Sequence, residues 1–385
     1  MGQNGKIRAI GILTAGGDCP GLNAVIRAVT KSLLPEGVRV FGFLEGFRGL
    51  VENRYIELDD YQTSGLLTTG GTVLRTSRDK PHKFAKDNSV TDRIADVAAN
   101  VKALGLDCVV CIGGGGTHKN VARIMERSRV NFVTVPKTID NDVWGTDTCV
   151  GFDTAMSIAT EALDRLHTTA SSHHRVMVVD IMGHNAGWLA LGSGIAGGAD
   201  VILVPEIPYD LDIVAESLRA RMDRGKMFSL VAVAEGATSM REALARKNDE
   251  SGPEKKRKSK GIEHSKEPVS AILAEHLEDA TGLETRVTSL GHIQRGGVPT
   301  PTDRLLATKY GTQAAEFILE RRFGVMVAKR GQEFTAVPID EVADRRKHVP
   351  LNDPWVSAAR LVGTCLGDEM PHGYKASQMV RAEGA

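Results

Sequence analysis

Apolar runs of strand length alternate with amphipathic segments along most of this chain, and no other feature restricts its fold as much. Residues 9–14, 107–112 and 175–181 are three of these runs, and residues 152–166 place apolar side chains at helical spacing. Strands that alternate with helices are joined by right-handed crossovers into parallel sheets. The sequence therefore predicts an α/β fold, and a length of 385 residues predicts two or three domains.

The charge balance and the cysteines indicate where such a protein works. Lys and Arg together number 48, as do Asp and Glu, so no net charge favours nucleic acid or an anionic membrane as partner. No apolar run approaches the roughly 20 residues that span a bilayer, and residues 1–6 lack the apolar stretch of a signal peptide. Five irregularly spaced cysteines indicate reduced thiols. We therefore expect a cytoplasmic protein.

One pair of cysteines needs a separate interpretation. Cys108 and Cys111 form a CxxC pair, which is also a spacing of zinc and redox sites. Both lie within the apolar run 107–112, so a buried strand is the favoured interpretation.

Two carboxylates follow another apolar run, residues 131–135. The sequence PKTIDND, residues 136–142, places Asp140 and Asp142 at the predicted carboxyl end of that strand, where open α/β sheets bind ligands. Phosphoryl transfer uses a carboxylate to accept a hydroxyl proton, together with groups that balance phosphate and metal charge. From this segment alone, an Asx-rich turn that closes the strand is the alternative.

Glycine-rich segments follow two further strands. Residues 15–23 (AGGDCPGLN) lead from the first strand into a helix, and four glycines at 113–116 precede Thr117 and a second helix. Strand, glycine turn and helix present free N–H groups and a positive dipole end to phosphate. Neither segment has the G-x-G-x-x-G spacing, which counts against a dehydrogenase. Residues 68–78 combine glycines, hydroxyls and two arginines, which suits a polyphosphate or a solvated loop equally.

Three more polar groups stand at predicted strand ends: residues 182–188 (MGHNAGW), Glu235 and residues 291–297 (GHIQRGG). Residues 248–267 are dense in charge with little to bury, and we expect a mobile surface insertion there. Its short basic run is more typical of a solvated segment than of a nucleic-acid site. Residues 371–385 are expected to form a flexible tail.

In their order along the chain, segments 16–23, 136–142, 182–187 and 291–297 resemble those of the 6-phosphofructokinases. The resemblance extends to about residue 328. It implies two three-layer αβα domains with mainly parallel sheets facing an active cleft. The implied phosphoryl-donor domain comprises residues 1–151 and about 294–345, and the sugar-phosphate domain comprises 152–293 and about 346–370.

The resemblance also implies residue roles. Asp140 is the expected general base, with Thr138 and Asp142 shaping its turn. The expected donor-binding residues are Gly16, Arg78, Gly113, Gly114, Gly115, Gly116, Thr117 and Lys137. The expected sugar-phosphate-binding residues are Thr138, Ile139, Asp140, Arg175, Met182, Gly183, His184, Glu235, Arg286, His292 and Arg295. A dimer or tetramer is expected, with Arg175 and Arg286 lent across subunits.

Three positions depart from the family pattern. Gly115 stands where an acid normally serves magnesium, so the metal ligands stay unassigned. His184 replaces an arginine near the transferred group, and His167 replaces the arginine that binds a regulatory nucleotide in bacterial members.

The choice of phosphoryl donor rests on two residues. Gly116 resembles members that use ATP, because it leaves room for the α-phosphate, whereas Lys137 resembles members that use pyrophosphate. The lysine does not exclude ATP. We therefore expect phosphorylation of fructose 6-phosphate at its 1-hydroxyl by ATP with Mg²⁺, as in glycolysis. The alternatives are pyrophosphate as donor, or a weakly catalytic paralogue that binds sugar phosphate.

Overall fold

The structure is a computed structural model that describes residues 5–86, 89–250 and 268–372. These residues form thirteen β-strands and twelve α-helices. The strands are β1 (Ala9–Ala15), β2 (Arg39–Phe43), β3 (Tyr55–Leu58), β4 (Phe84–Lys86), β5 (Ser89–Thr91), β6 (Cys108–Gly113), β7 (Phe132–Pro136), β8 (Val176–Ile181), β9 (Val201–Leu203), β10 (Ser229–Ala234), β11 (Thr285–Ser289), β12 (Val325–Arg330) and β13 (Glu333–Pro338). The helices are α1 (Leu22–Leu33), α2 (Phe47–Glu52), α3 (Ile94–Ala103), α4 (Gly115–Ser128), α5 (Phe152–His173), α6 (Trp188–Ala196), α7 (Leu211–Met222), α8 (Met240–Glu250), α9 (Val269–Thr281), α10 (Pro301–Leu319), α11 (Ile339–Val342) and α12 (Pro354–Leu361).

The chain divides into two compact units, each made of two segments. The first unit comprises Met1–Ala155 and Arg295–Lys347, and the second comprises Met156–Gln294 and His348–Ala385. The chain therefore passes from one unit to the other three times, and neither unit is a continuous half of the sequence. The assignment of donor and sugar-phosphate binding to separate domains stays a prediction.

The first unit is built on a seven-stranded sheet in the order β13-β12-β7-β6-β1-β2-β3. The five inner strands are parallel, and the two edge strands, β3 and β13, run antiparallel to their neighbours. Helices α1 and α10 pack together on one face, while α3 and α4 cover the other with side chains such as Val97 and Ile124. Each fully buried branched side chain in such a core contributes about 1.5–3 kcal/mol.

The register of this sheet brings three strand ends together. Ala15 of β1 pairs with Gly113 of β6, and Gly113 pairs with Pro136 of β7. The glycine-rich segments and the acidic turn that follow these strands therefore begin side by side at one edge of the sheet.

The second unit has a four-stranded parallel sheet in the order β11-β8-β10-β9. Helices α7 and α9 pack on one face through residues such as Leu218 and Leu273, and α6 packs on β9 and β10. Both units thus combine a mainly parallel sheet with helices, which confirms the predicted αβα fold class.

Some predicted boundaries need correction. Strands β3 and β13 were not predicted, because neither is an apolar run. Helix α8 extends to Glu250, so the first three residues of the predicted insertion 248–267 are helical. The rest of that insertion and residues 373–385 of the predicted tail lie outside the described residues. Among the described residues, no helix combines the length and apolar character needed to cross a membrane.

Candidate active site

The loop after β1 is tied to residues 76 and 77 of the same unit. Gly16 has a φ of +85°, a left-handed conformation that favours glycine. Its N–H donates to the carbonyl of Ser77 at 2.9 Å, and its carbonyl accepts from the Thr76 hydroxyl at 2.8 Å. Arg78 follows directly, is exposed, and has no ion-pair partner in the part of the chain that the structure describes. A cation is therefore available beside Gly16.

The four glycines do not form the predicted loop throughout. Gly113 ends β6, Gly114 precedes α4, and Gly115 and Gly116 already form the first turn of that helix. A Cβ on Gly113 would overlap the Thr117 hydroxyl, whereas a Cβ on Gly115 or Gly116 would have no atom within 4 Å. The first turn of α4 is thus open on the side where its free N–H groups and positive dipole end favour an anion.

The acid-bearing turn lies directly against this glycine cluster, residues 113–116. The Lys137 N–H donates to the Gly113 carbonyl at 3.0 Å, and a Cβ on Gly114 would lie 3.4 Å from the Lys137 carbonyl oxygen. The Asp140 N–H donates to the Thr138 hydroxyl at 3.1 Å. Ile139 is buried as a whole residue, so it supports the turn from inside and does not present a surface to a ligand. The structure thus brings together the predicted base and much of the predicted donor site.

The two acids of the turn differ in their surroundings. Asp142 is mostly buried and forms an ion pair with Arg346, whose Nε lies 3.2 Å from its carboxylate. The Lys347 N–H donates to the Asp142 carbonyl at 2.9 Å. Asp140 is half-buried. We infer that Asp142 holds the turn in place, whereas Asp140 is the better candidate for proton transfer.

Two cations border the loop after β1. The buried Lys137 ammonium donates to the Gly17 carbonyl, and burial lowers the pKa of Lys137. Arg295 lies against Gly17, and its Nη1 donates to the Asp18 carbonyl at 3.4 Å. The buried Arg295 Nε has no hydrogen-bond partner among the described residues. These donors favour a bound anion here, whereas the family resemblance implies that Arg295 binds the sugar phosphate.

The cysteines nearby are not reactive groups. Cys108 and Cys111 lie in the fully buried strand β6, as predicted. Cys19 is buried beside this loop, and burial raises the pKa of its thiol to about 12. These thiols are therefore protonated at neutral pH.

In the second unit, the loops after β8 and β10 pack on each other. Gly183 and His184 have φ of +148° and +53°, and the His184 N–H donates to the Glu235 carboxylate at 2.7 Å. A Cβ on Gly236 would overlap the His184 carbonyl. Met182 therefore leads into a fixed loop that exposes the His184 side chain. His292 is also exposed in the turn after β11, at the same carboxyl edge.

Two acids that the sequence did not single out support this edge. Glu206 is nearly buried and accepts the N–H groups of Gly187 and Val349 at 3.0 and 2.9 Å. Asp180 is the fifth residue of β8, and the Ser289 hydroxyl donates to its carboxylate at 3.4 Å. Burial raises the pKa of the Asp180 carboxyl group. An acid inside the apolar run 175–181 was a signal that could have identified Asp180. Glu206 had no such signal.

Arg175 and Arg286 lie elsewhere in the second unit. Arg175 precedes β8 and Arg286 is the second residue of β11, so both stand at the amino ends of their strands. Seven rises of about 3.3 Å each separate Arg175 from Met182 by about 23 Å along β8. Both arginines bind the carboxylate of Glu284, Arg175 at 2.6 Å. Within one chain, the structure does not bring them together with the other predicted sugar-phosphate residues of this unit.

Comparison with known proteins gives a consistent result. The family model described as Phosphofructokinase matches residues 9–318. The chain is 50% identical over 370 residues to the ATP-dependent 6-phosphofructokinase of Propionibacterium freudenreichii, covering 93% of this chain and 99% of that protein. It is also 50% identical over 368 residues to the ATP-dependent 6-phosphofructokinase of Spirochaeta thermophila, covering 94% and 98%.

Solved structures show the same fold. Phosphofructokinase from Pichia pastoris in the T-state superposes with a TM-score of 0.74 at 31% identity, over 88% of this chain and 36% of that longer chain. A pyrophosphate-dependent phosphofructokinase from Nitrosospira multiformis superposes with a TM-score of 0.76 over 94% of this chain and 93% of the other. Its identity of 20% supports the fold alone.

Proposed function

Because this chain belongs to the phosphofructokinase family, we propose that it transfers the terminal phosphoryl group of ATP to the 1-hydroxyl of fructose 6-phosphate, the glycolytic reaction. The observation that carries the proposal is the packing of the Asp140 turn on the glycine cluster at the start of α4. A proton acceptor and an anion site then lie side by side in one unit. Relatives named as ATP-dependent 6-phosphofructokinases share half of the residues across nearly their whole lengths.

The reaction needs one base and a set of fixed positive groups. Asp140 takes the proton of the 1-hydroxyl as its oxygen bonds to the γ-phosphorus, and the bond from that phosphorus to the leaving ADP oxygen breaks. The N–H groups at the start of α4, with Gly16, hold the donor phosphates, and Arg78 supplies a further cation. General-base catalysis of this kind contributes about 10²–10⁴ in rate.

Magnesium is the expected cofactor, and the chain offers it few ligands. Among the described residues, no three His, Cys, Asp or Glu side chains are grouped to hold a metal. Mg²⁺ keeps several waters and is commonly bound by one or two carboxylates with substrate phosphates. Asp140 and Asp142 fit such a site, although Asp142 is already paired with Arg346. We place Mg²⁺ with the ATP phosphates, where it neutralises charge.

Replacing Gly115 by Asp tests this view of the metal. A Cβ at position 115 meets no atom within 4 Å and its φ is not positive, so the variant should fold normally. We expect Gly115→Asp to lower the Mg²⁺ concentration for half-maximal activity by about fivefold or more, because a carboxylate is added where oxygen ligands are scarce. Ala95→Asp, at an exposed position in the first turn of α3 in the same unit, is a control for added charge. An unchanged Mg²⁺ requirement would show that position 115 does not face the metal.

The acceptor sugar binds at the carboxyl ends of the strands in the second unit's sheet. Met182, Gly183, His184 and Glu235 line its pocket, and His292 of the same unit binds the 6-phosphate. Arg175 and Arg286 come from a neighbouring subunit of a homodimer or homotetramer. Both stand at the amino edge of their sheet, with Arg175 about 23 Å from Met182, which supports this assignment. We place the enzyme in the cytoplasm, in keeping with its buried free thiols.

The hydrogen bond made by the Lys137 ammonium favours ATP over pyrophosphate as the phosphoryl donor. The ammonium donates to the Gly17 carbonyl. This structural role explains the presence of a lysine at position 137 without pyrophosphate as the phosphoryl donor. Gly116 leaves open space beside the first turn of α4.

A coupled assay with ATP and pyrophosphate in parallel, with and without Mg²⁺, tests the function. We expect fructose 1,6-bisphosphate from ATP only, and only with Mg²⁺. Turnover with pyrophosphate alone would reverse the choice of donor. Activity with neither donor would instead indicate a protein that only binds sugar phosphate.

A further inference from the structure

The side chain of His118 is directed back at the glycine cluster. His118 lies in the first turns of α4, and its ring is fully buried. Its Nδ1 is 2.8 Å from the carbonyl oxygen of Gly114. Since a carbonyl oxygen only accepts, Nδ1 carries the proton and donates. The other ring nitrogen, Nε2, is buried without a hydrogen-bond partner among the described residues.

This hydrogen bond is a side-chain contact to the carbonyl at the start of α4, and it leaves the free N–H groups of the first turn unoccupied. Helix α4 has no side-chain hydrogen bond at its N-cap, which is Gly114 itself. The Gly114 carbonyl accepts the N–H groups of Thr117 at 2.9 Å and His118 at 3.2 Å, and the imidazole is a third donor. Only the imidazole can be removed by a substitution. The ring stays neutral at neutral pH, because burial lowers the pKa of His118 to about 4.

Consecutive glycines need such a restraint. Gly114, Gly115 and Gly116 have no Cβ to limit their backbone angles, so the peptide between Gly114 and Gly115 can rotate at little steric expense. A trans peptide is planar, with its C=O and N–H pointing in opposite directions. Holding the Gly114 carbonyl along the helix therefore points the Gly115 N–H out of the helix start. A rotated peptide would present a carbonyl oxygen to an anion instead.

We propose that His118 is a positioning residue for the phosphoryl donor: by holding the Gly114 carbonyl, it directs the Gly115 N–H at the phosphates of ATP. This inference rests on the proposed function, because it takes the open side of α4 as the donor site. Position 115 is a glycine where the family pattern has an acid, so this residue contributes to the site through its backbone alone.

Two substitutions of His118 separate the effect of its hydrogen-bond donor from the effect of the volume of its ring. Asn carries its amide nitrogen at the δ position, as Nδ1 of histidine does, whereas Gln carries it one atom further out. We expect His118→Asn to bind Mg²⁺–ATP within about twofold of the wild type. We expect His118→Gln to bind it about fivefold more weakly, the equivalent of about 1 kcal/mol at 1.4 kcal/mol per tenfold.

The measurement is calorimetric titration of the full-length protein with Mg²⁺–ATP, followed by initial rates with each substrate varied. For His118→Gln, KM for ATP should rise with the dissociation constant, while kcat and KM for fructose 6-phosphate change less than about twofold. Thermal melting confirms that each variant is folded. If the Gln variant is not folded, His118→Leu is used in its place, because it removes the hydrogen-bond donor and keeps most of the volume of the histidine side chain.

Equal effects of Asn and Gln on ATP binding, or no effect of either, would overturn the role of His118 alone. A parallel rise in KM for both substrates would also overturn it, since it would indicate general distortion. Wild-type protein that binds no ATP would remove the proposed function, and this inference with it.

Discussion

We expect Asp140→Asn to lower kcat by at least a hundredfold while the dissociation constants of ATP and fructose 6-phosphate stay within about threefold, because the amide keeps the shape of the carboxylate and cannot accept the proton. Asp140 is half-buried in a turn whose backbone is fixed by the Thr138 hydroxyl and the Gly113 carbonyl. The substitution therefore changes the chemistry more than the structure. Steady-state rates together with calorimetric binding of each substrate make the measurement.

A matched control is available in the same unit. Asp344 is exposed and pairs with Lys119 on the surface, so Asp344→Asn should leave kcat within about twofold, as most surface substitutions do. If Asp140→Asn keeps more than about a tenth of the wild-type kcat, another group accepts the proton and the base is wrongly assigned.

Arg175→Ala should raise KM for fructose 6-phosphate by about 10–100-fold, since one charge-assisted hydrogen bond to the 6-phosphate is lost. Arg175 stands at the amino end of β8, whereas the proposed sugar-binding loop that begins at Met182 follows its carboxyl end. The arginine of one chain should therefore serve the Asp140 of another chain. Initial rates with varied fructose 6-phosphate at saturating ATP measure the effect, and KM for ATP should change little.

Hybrid oligomers give the sharper test of this sharing. When Arg175→Ala chains are mixed with Asp140→Asn chains, a site that takes Asp140 from the first and Arg175 from the second is wild-type. For a two-fold interface, one site of the two in each hybrid is intact, so about half of the wild-type activity should return. Hybrids isolated by two different affinity tags that are no more active than the parents would mean that both residues serve their own chain.

The strands were largely predictable, because their signal is local. Strands β1, β6 and β8 are apolar runs, and the loops that follow them were located from composition alone. Strands β3 and β13 are short and partly exposed, so they lack that signal. The start of α4 was misplaced because two glycines in a first turn resemble a loop more than a helix.

The residues that hold the site in place were not predictable in the same way. Arg346 pairs with Asp142, and Glu206 accepts the Val349 N–H, although each pair is far apart in sequence. An ion pair or hydrogen bond between distant segments leaves no pattern in either segment. The resemblance supplied roles for Arg175 and Arg286, but only strand direction showed that they stand at the opposite edge of their sheet from Met182.

The central claim is that Asp140 accepts the proton of the sugar's 1-hydroxyl. A crystal structure with fructose 6-phosphate and a non-hydrolysable ATP analogue measures the distance from the Asp140 carboxylate to that hydroxyl oxygen. We predict about 2.6–3.2 Å, the reach of a general base. A 1-hydroxyl that contacts a different acid, with Asp140 beyond the reach of one bridging water, would contradict the mechanism.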